Sequence, residues 1–188
     1  MDTLIPPDRC TTDRFLIRSY EPGDGAALRE ATVSSYEHLR RFMAWARAEQ
    51  SVEEAEAVVR QARGRWLLAT DFTLGLFAPG GGEVWGGCGF HLREGPLSER
   101  VAEIGMWIRA SRAGQGLATD ALRALLRWGF TEWPWERLSW RCDSRNLASI
   151  RVAEKAGMRR EGVLVGNAIA ADGVRRDTVC FALSRAEV

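Results

Sequence analysis

Residues 111–120 read Ser-Arg-Ala-Gly-Gln-Gly-Leu-Ala-Thr-Asp, a glycine-containing turn that leads directly into a patterned segment. Apolar residues recur there at the spacing of one helix face: Ala118, Ala121, Leu122, Leu125, Leu126 and Phe130. The first turn of a helix leaves N–H groups unpaired and carries about half a positive charge. Gly114 and Gly116 can adopt positive φ and let those N–H groups approach an anion. The stretch therefore predicts a helix with an anion-binding N-terminus.

Two familiar phosphate-binding motifs do not fit this turn. A P-loop requires Gly-Lys-Ser/Thr, whereas Gly116 is followed by Leu117-Ala118. A Rossmann turn requires a third glycine or alanine where Thr119 stands. A tight loop that binds nothing is the remaining alternative for the two glycines.

The composition is that of a soluble globular protein, and we expect one domain over residues 1–188. The net charge of +1, from 26 basic and 25 acidic side chains, does not favour a nucleic-acid partner. The sequence has no long apolar run and no signal-peptide pattern, so we expect a cytoplasmic protein with no membrane partner. Two histidines and four scattered cysteines predict free thiols and no metal site: Cys10, Cys88, Cys142 and Cys180.

Hydrophobic periodicity predicts an α+β fold with a mixed sheet. Helices are expected over 26–34, over 36–46, after the capping box Ser51-Val52-Glu53-Glu54, after the glycine turn, and from Asn146 to Ala156. The helix after the capping box has the stripe Val52, Ala55, Val58, Val59 and Ala62. Strands are expected over 14–20, 66–78, 83–93, 101–109, 138–142, 163–165 and 175–183.

The segment Ala113-Gly114-Gln115-Gly116-Leu117-Ala118 resembles the pyrophosphate-binding motif of the GNAT N-acetyltransferases, Gln/Arg-x-x-Gly-x-Gly/Ala. Ala113 departs from the first position of the motif, and Arg112 is a candidate replacement. The family's phosphate contacts are mostly backbone N–H groups, so the cradle survives this change. The resemblance implies acetyl-CoA binding by Gly114, Gln115, Gly116, Leu117, Ala118 and Thr119, and a GNAT-like, mostly antiparallel central sheet with helices on both faces.

Three further segments resemble the RimJ/RimL branch of this family, the ribosomal-protein α-N-acetyltransferases. Residues 12–18 are similar to its opening strand, and residues 38–45 to its substrate-side helix. Asn146-Leu147-Ala148-Ser149 with Glu154-Lys155-Ala156-Gly157-Met158 is similar to its Asn-x-x-Ser...Glu-Lys-x-Gly-Phe segment. Together with the glycine turn, four matches occur in the family's order. The resemblance implies acetyl transfer to a protein or peptide N-terminal α-amine.

Glu103 is the candidate general base. Strand alternation places it on one face with Gly105 and Trp107, where a carboxylate would lie in apolar surroundings beside open space. Several GNAT enzymes resemble this chain in carrying their base at the corresponding strand position, in a context similar to Ala102-Glu103-Ile104. A structural glutamate paired with an arginine is the alternative.

The resemblance also implies roles around the acetyl donor. Backbone N–H groups near Trp107 and Ile108 would contact the pantetheine arm and polarise the thioester carbonyl. Asn146 would hold the same arm, and Ser149 would be the acid beside the sulfur; a plain helix cap and a local hydrogen bond are their alternatives.

Two departures from the family pattern bear on catalysis. The tyrosine that many other GNAT members use as the acid is replaced by Ala153. Some RimL-type enzymes carry a glutamate shortly before the last turn, whereas residues 166–171 contain none, which favours Glu103 as the base. His38 and His91 receive no role.

The sequence thus indicates an acetyl-CoA-dependent N-acetyltransferase whose partners are acetyl-CoA and an amine acceptor. A small amine such as a polyamine or antibiotic is the alternative acceptor, and a CoA-binding module without turnover is the alternative from another class. We expect the helix over 36–46, with Trp45, to form a wall of the acceptor groove. The oligomeric state stays open, with a homodimer as one option.

Overall fold

A computed structural model describes residues 4–188 and contains one eight-stranded sheet. In chain order the strands are β1 (Arg9–Thr11), β2 (Leu16–Ser19), β3 (Phe72–Phe77), β4 (Val84–His91), β5 (Val101–Ile108), β6 (Arg137–Asp143), β7 (Arg159–Ile169) and β8 (Arg175–Ser184). They lie side by side as β1-β2-β3-β4-β5-β6-β8-β7. The β5–β6 pair is parallel and the other pairs are antiparallel. The predicted α+β class with a mixed, mostly antiparallel sheet is confirmed.

Helices cover both faces of this sheet. They are α1 (Gly25–Ser34), α2 (Tyr36–Leu39), α3 (Val52–Leu67), α4 (Leu117–Thr131) and α5 (Leu147–Lys155). Leu28 of α1 and Val59 of α3 pack with Phe77 in a core cluster on one face. Leu122 and Leu125 of α4 belong to the larger cluster on the other face. The two faces therefore have separate cores.

The helix after the glycine turn forms as predicted. It begins at Leu117 with Gly116 as its N-cap, and both glycines adopt positive φ, 74° at Gly114 and 78° at Gly116. The predicted stripe is buried apart from Ala118, which is half-buried. This helix is anchored by its apolar face and leaves its N-terminus at the surface.

The capping box at Ser51 is also present. The Ser51 side chain accepts from the Glu54 N–H, and the Glu54 carboxylate accepts from the Ser51 N–H. Ala55 and Ala62 of the predicted stripe are buried, as is Val59, but Val52 and Val58 are exposed. The stripe is therefore narrower than predicted.

The predicted helix over 36–46 is wrong beyond its first turn. Helix α2 ends at Leu39, and the chain continues in turns in which Met43 N–H donates to the Leu39 carbonyl. Leu39 is buried, whereas Phe42 and Met43 are half-buried. A helix this short depends on tertiary packing, and the segment after Leu39 has too little of it.

The predicted strand over 66–78 is wrong at its start. Helix α3 runs on to Leu67, and β3 begins only at Phe72. Trp66 continues the helical stripe four residues after Ala62 and is buried, so its packing extends the helix. Leu67 is exposed, as expected for the outer side of a helix rather than the interior of a sheet.

The two C-terminal strands are present but longer than predicted. Strand β7 covers Arg159–Ile169 instead of 163–165, and β8 ends at Ser184. Most of β7 is exposed because it forms the edge of the sheet, so its sequence lacks the apolar signal of a buried strand. Within residues 4–188, no helix has the length and apolar character that crossing a bilayer would require.

The sheet splits between β5 and β6, and this split positions the site. The two strands pair only at their first three residues, up to Glu103 opposite Ser139. Beyond that point β5 stays with β4, while β6 stays with β8. A wedge therefore opens between the second half of β5 and residues 140–143.

Candidate active site

A groove of about 810 Å³ begins at this wedge. Its floor comes from the odd-numbered face of β5 and from β6, and one end is closed by the start of α5. The opposite wall comes from α3 and from the turns after α2, where the predicted wall residue Trp45 lies with Phe42 and Met43. Trp45 contacts Trp107 edge to face, with ring centroids 5.7 Å apart. The groove thus has an aromatic wall although the predicted helix there is short.

The glycine turn presents a row of free backbone donors. The Asp120 N–H donates to the Gly116 carbonyl, the first hydrogen bond of α4. In the described part of the chain, no acceptor faces the N–H groups of residues 114–119. Arg14 braces the turn through an ion pair with Asp120 and a hydrogen bond to the Gln115 carbonyl. These N–H groups, at the positive end of a long helix, fit a pyrophosphate.

Arg112 does not take the place of the missing first motif residue. Its guanidinium lies over the Trp85 ring, 4.1 Å from the centroid, and 3.6 Å from a carboxylate oxygen of Glu83. These contacts engage the side chain with Trp85 and Glu83. A pyrophosphate at this turn would therefore be held by backbone groups, as the family motif implies.

The free edge of β5 faces the wedge. The Arg109 N–H donates to the Trp85 carbonyl on the β4 side. Because ladder hydrogen bonds recur at every second residue, the backbone of Trp107 is also directed toward β4. The N–H groups of Met106 and Ile108 are then directed toward the wedge. Of the two predicted pantetheine contacts, Ile108 offers its backbone and Trp107 offers its ring.

Asn146 and Ser149 lie together at the start of α5. The Asn146 side-chain oxygen accepts from the Ser149 N–H at 3.1 Å, so Asn146 is the predicted cap, and its amide N–H₂ is left for a ligand. The Ser149 hydroxyl accepts from the Trp140 indole N–H at 3.0 Å. Burial raises the pKa of the neighbouring Cys142 thiol, and the Ser149 hydroxyl opposes that shift. This corner of the groove brings a hydroxyl and a thiol together beside the wedge.

Glu103 lies in the groove and is buried, with 6% of its surface exposed. Its Oε1 accepts from Arg93 at 2.5 Å, and its Oε2 lies 3.8 Å from Nε of Arg141. The arginine pairing that the sequence left as the alternative is therefore present. A carboxylate has about four lone-pair sites, so these two partners leave room for an amine.

Comparison with known proteins identifies the family. Residues 14–159 match the acetyltransferase (GNAT) domain family. This chain belongs to that family. The uncharacterized N-acetyltransferase YnaD of Bacillus subtilis is 32% identical over 159 residues, which cover 81% of this chain and 83% of YnaD. As a member of this family, the protein is an acetyl-CoA-dependent N-acetyltransferase, with acetyl-CoA as the acyl donor.

Two solved structures share the fold of this GNAT enzyme. RimL, a ribosomal L7/L12 α-N-protein acetyltransferase in complex with coenzyme A, has a TM-score of 0.82 at 22% identity, covering 93% of this chain and 96% of RimL. The microcin C7 self-immunity acetyltransferase MccE, in complex with acetyl-CoA and AMP, has a TM-score of 0.81 at 19% identity, covering 92% and 93%. The two structures match equally well, so the fold does not select between their acceptors.

One cluster in the groove of this acetyltransferase was not predicted. His91, at the end of β4, lines the groove, and its Nδ1 lies 2.8 Å from Oδ1 of Asp71. Phe72 pairs with Phe90, so Asp71 and His91, the next residues outward, face each other. The register of the predicted hairpin was the signal that would have revealed this pair. No metal site explains it, because within residues 4–188 no three His, Cys, Asp or Glu side chains are grouped to hold an ion.

Most charged side chains of the groove lie close to a side chain of opposite charge. Its carboxylates are Glu54, Glu103 and Asp143, and its arginines are Arg47, Arg93, Arg141 and Arg176. Each of these carboxylates lies within ion-pair distance of an arginine. Arg176 donates to the Thr178 hydroxyl at 2.9 Å and forms no ion pair among residues 4–188. The groove therefore offers no cluster of free carboxylates.

Proposed function

We propose that this acetyltransferase acts on the α-amine at the N-terminus of a protein or peptide. The observation that carries the proposal is that each carboxylate lining the groove is ion-paired with an arginine. A polyamine presents several positive charges, and each would need a carboxylate partner to replace its hydration. Four arginines against three ion-paired carboxylates suit an acceptor with a single amine better.

The shape of the groove supports the same acceptor class. It extends from the Ser149 corner, past Glu103, to the aromatic wall at Trp45. A peptide could place its terminal amine near Glu103 while its first side chains lie against Trp45 and Trp107. RimL, which has the same fold, is a protein α-N-acetyltransferase. A small amine stays the second candidate because MccE, a microcin C7 self-immunity acetyltransferase and not a ribosomal-protein enzyme by name, shares the fold to the same degree.

Different residues at the wedge would carry out different steps of the reaction. Acetyl-CoA supplies an acetyl group as a thioester. We propose that the free N–H row at Gly114–Thr119 holds its pyrophosphate, and that Asn146 and the Ile108 N–H orient the arm that carries the thioester. The Ile108 N–H also polarises the carbonyl. Glu103 takes a proton from the reacting nitrogen, and Ser149 supplies one to the leaving sulfur.

An acceptor panel tests this function. Peptides with different N-termini, the same peptides with blocked α-amines, and polyamines are incubated with enzyme and acetyl-CoA, and free thiol is measured. We expect thiol release with the free peptides only, and mass spectrometry should place the acetyl group on the α-nitrogen. Faster turnover of a polyamine would refute the proposed acceptor. Binding of CoA without turnover of any amine would indicate a non-catalytic module.

Trp45→Ala tests the acceptor wall. Trp45 is 48% exposed and contacts Trp107 at the groove, so its removal should weaken peptide binding without unfolding the protein. We expect the KM for the peptide to rise by roughly 2- to 12-fold, as for loss of one aromatic contact, with CoA affinity unchanged. Phe42→Ala is a second wall variant. An unchanged KM in both would exclude this wall from the acceptor site.

We also propose a cytoplasmic location. The four cysteines are free thiols: Cys10, Cys88, Cys142 and Cys180. Free thiols are usual in the reducing cytoplasm, and acetyl-CoA is available there. Fractionation of cells that express the protein tests this proposal.

A further inference from the structure

The reacting nitrogen must lose two protons. An N-terminal amine has a pKa of about 8, so near neutral pH most of it is an ammonium ion and cannot attack a carbonyl. The first proton must leave before the attack, and the second leaves as the amide forms. Glu103, proposed above to take one proton from the nitrogen, is already held by two arginines. We therefore assign the second proton to Glu103, which leaves the first proton for another group in the groove.

We propose that His91, oriented by Asp71, is the catalytic base that removes the first proton from the acceptor ammonium. This inference rests on the proposed transfer to an amine and adds a residue to it. His91 would touch the substrate, and Asp71 would act through His91 as a positioning residue. Neither residue belongs to the family segments recognised in the sequence.

The hydrogen bond between the two side chains sets the imidazole tautomer. Burial raises the pKa of Asp71, but the hydrogen bonds from His91 and Thr73, together with the nearby charges of His91 and Arg65, outweigh burial and leave its pKa below the usual range. An ionised carboxylate only accepts hydrogen bonds, so Nδ1 of His91 must carry a hydrogen. In the neutral ring the lone pair is then on Nε2. This is the arrangement that a base requires.

Nε2 is free to receive a proton from the groove. It makes no hydrogen bond to any described side chain or backbone group. The ring lies beside Gly105, where an added Cβ would be only 2.8 Å from Nε2. Any larger residue at Gly105 would collide with the imidazole, so the glycine leaves space for the ring at the groove floor. The side chain is 15% exposed, which allows exchange with water.

The charged groups around His91 suit a transient positive charge. Glu103 is its direct partner across β4 and β5, and Asp71 holds its other nitrogen. Arg65 of α3 lies 3.9 Å from Asp71, while Arg93 and Arg141 lie on Glu103. Two carboxylates thus adjoin the ring, and each of them has an arginine partner of its own.

The protons balance across the reaction. The ammonium gives one proton to Nε2 of His91, which later releases it to solvent. The neutral amine forms the C–N bond as the C–S bond breaks, and the nitrogen gives its second proton to Glu103. The sulfur receives one proton from Ser149, which is restored by the proton on Glu103 through water. The net products are the amide, the CoA thiol and one proton.

The pH dependence of His91→Gln tests the assignment. At about pH 6.5 an amine of pKa near 8 is roughly 30-fold more protonated than neutral, so a variant that cannot deprotonate it should lose about that factor in kcat/KM. At about pH 9.5 the amine is already neutral, and we expect less than a twofold difference. The assay uses whichever amine the wild type acetylates best. A loss that is equal at both pH values, or no loss, would refute the assignment.

Two matched variants accompany this measurement. Asp71→Asn should show the same pH-dependent loss to a smaller degree, because the ring remains but its tautomer is no longer fixed. His38→Gln replaces the second histidine, which is exposed and does not line the groove, so this variant should match the wild type at both pH values. A loss in Asp71→Asn that does not vary with pH would show that Asp71 is only structural.

An NMR measurement decides the tautomer without turnover. The chain contains two histidines, so ¹⁵N spectra of the imidazoles can be assigned with the His38→Gln variant. We expect neutral His91 to carry its hydrogen on Nδ1, and Asp71→Asn to mix the two tautomers. A hydrogen on Nε2 in the neutral wild-type ring would overturn the proposal even if the acceptor class is correct. Failure of every acceptor in the panel would leave this result unaffected.

Discussion

Gly116→Val is expected to weaken CoA binding while the protein stays folded. Gly116 has φ of 78° as the N-cap of α4, a conformation that costs a β-branched residue about 1–3 kcal/mol. The variant can relieve this strain only by turning the N–H row at Gly114–Thr119 away from its present direction. We expect CoA affinity, measured by calorimetry, to fall by roughly 5- to 150-fold, the equivalent of that strain.

Gly157→Val is the matched control for backbone strain. Gly157 has φ of 88° after α5, and no heavy atom lies within 4 Å of an added Cβ, as at Gly116. It should therefore lose a similar amount of stability in thermal unfolding but retain CoA affinity. If Gly116→Val binds CoA as the wild type does, the glycine turn is not the pyrophosphate cradle.

The fold could be predicted from the sequence where an element is determined by residues that are close together in the chain. The helix after the glycine turn has a strong 3.6-residue period, and the capping box at Ser51 fixes the start of α3 by hydrogen bonds between neighbours in sequence. The apolar run at residues 66–68 was ambiguous, because a short run fits a strand or a helix. The packing of Trp66 against the larger core selects the helix, and that packing involves residues far away in the sequence.

The site could be predicted in part for the same reason. Gly116, Asn146 and Ser149 lie in short motifs whose backbone geometry follows from adjacent residues. The Asp71–His91 pair joins residues 20 positions apart through the register of a hairpin, which composition does not reveal. The arginines on Glu103 come from the bend after β4 and from β6, so the sequence could name the pairing only as an alternative.

Glu103→Gln is expected to have the largest effect on turnover. The amide keeps the shape of the side chain but cannot accept the second proton from the reacting nitrogen. Positioned proton transfer contributes about 10²–10⁴ in rate, so kcat should fall by about that factor. CoA affinity should be unchanged because Glu103 lies away from the free N–H row. Unlike the loss in His91→Gln, this loss should persist at alkaline pH, since the second proton leaves only as the amide forms.

Glu94→Gln separates catalysis from charge pairing. Glu94 is a partly buried carboxylate that accepts from Arg141 at 2.7 Å and from the Ser139 hydroxyl at 2.9 Å, but it does not line the groove. Its replacement disturbs the same arginine that lies beside Glu103, and we expect kcat to stay within about threefold of the wild type. If the Glu94 and Glu103 variants lose activity equally, the carboxylates act by holding Arg141 in place. If Glu103→Gln retains its kcat, Glu103 is structural and the second proton leaves directly to water.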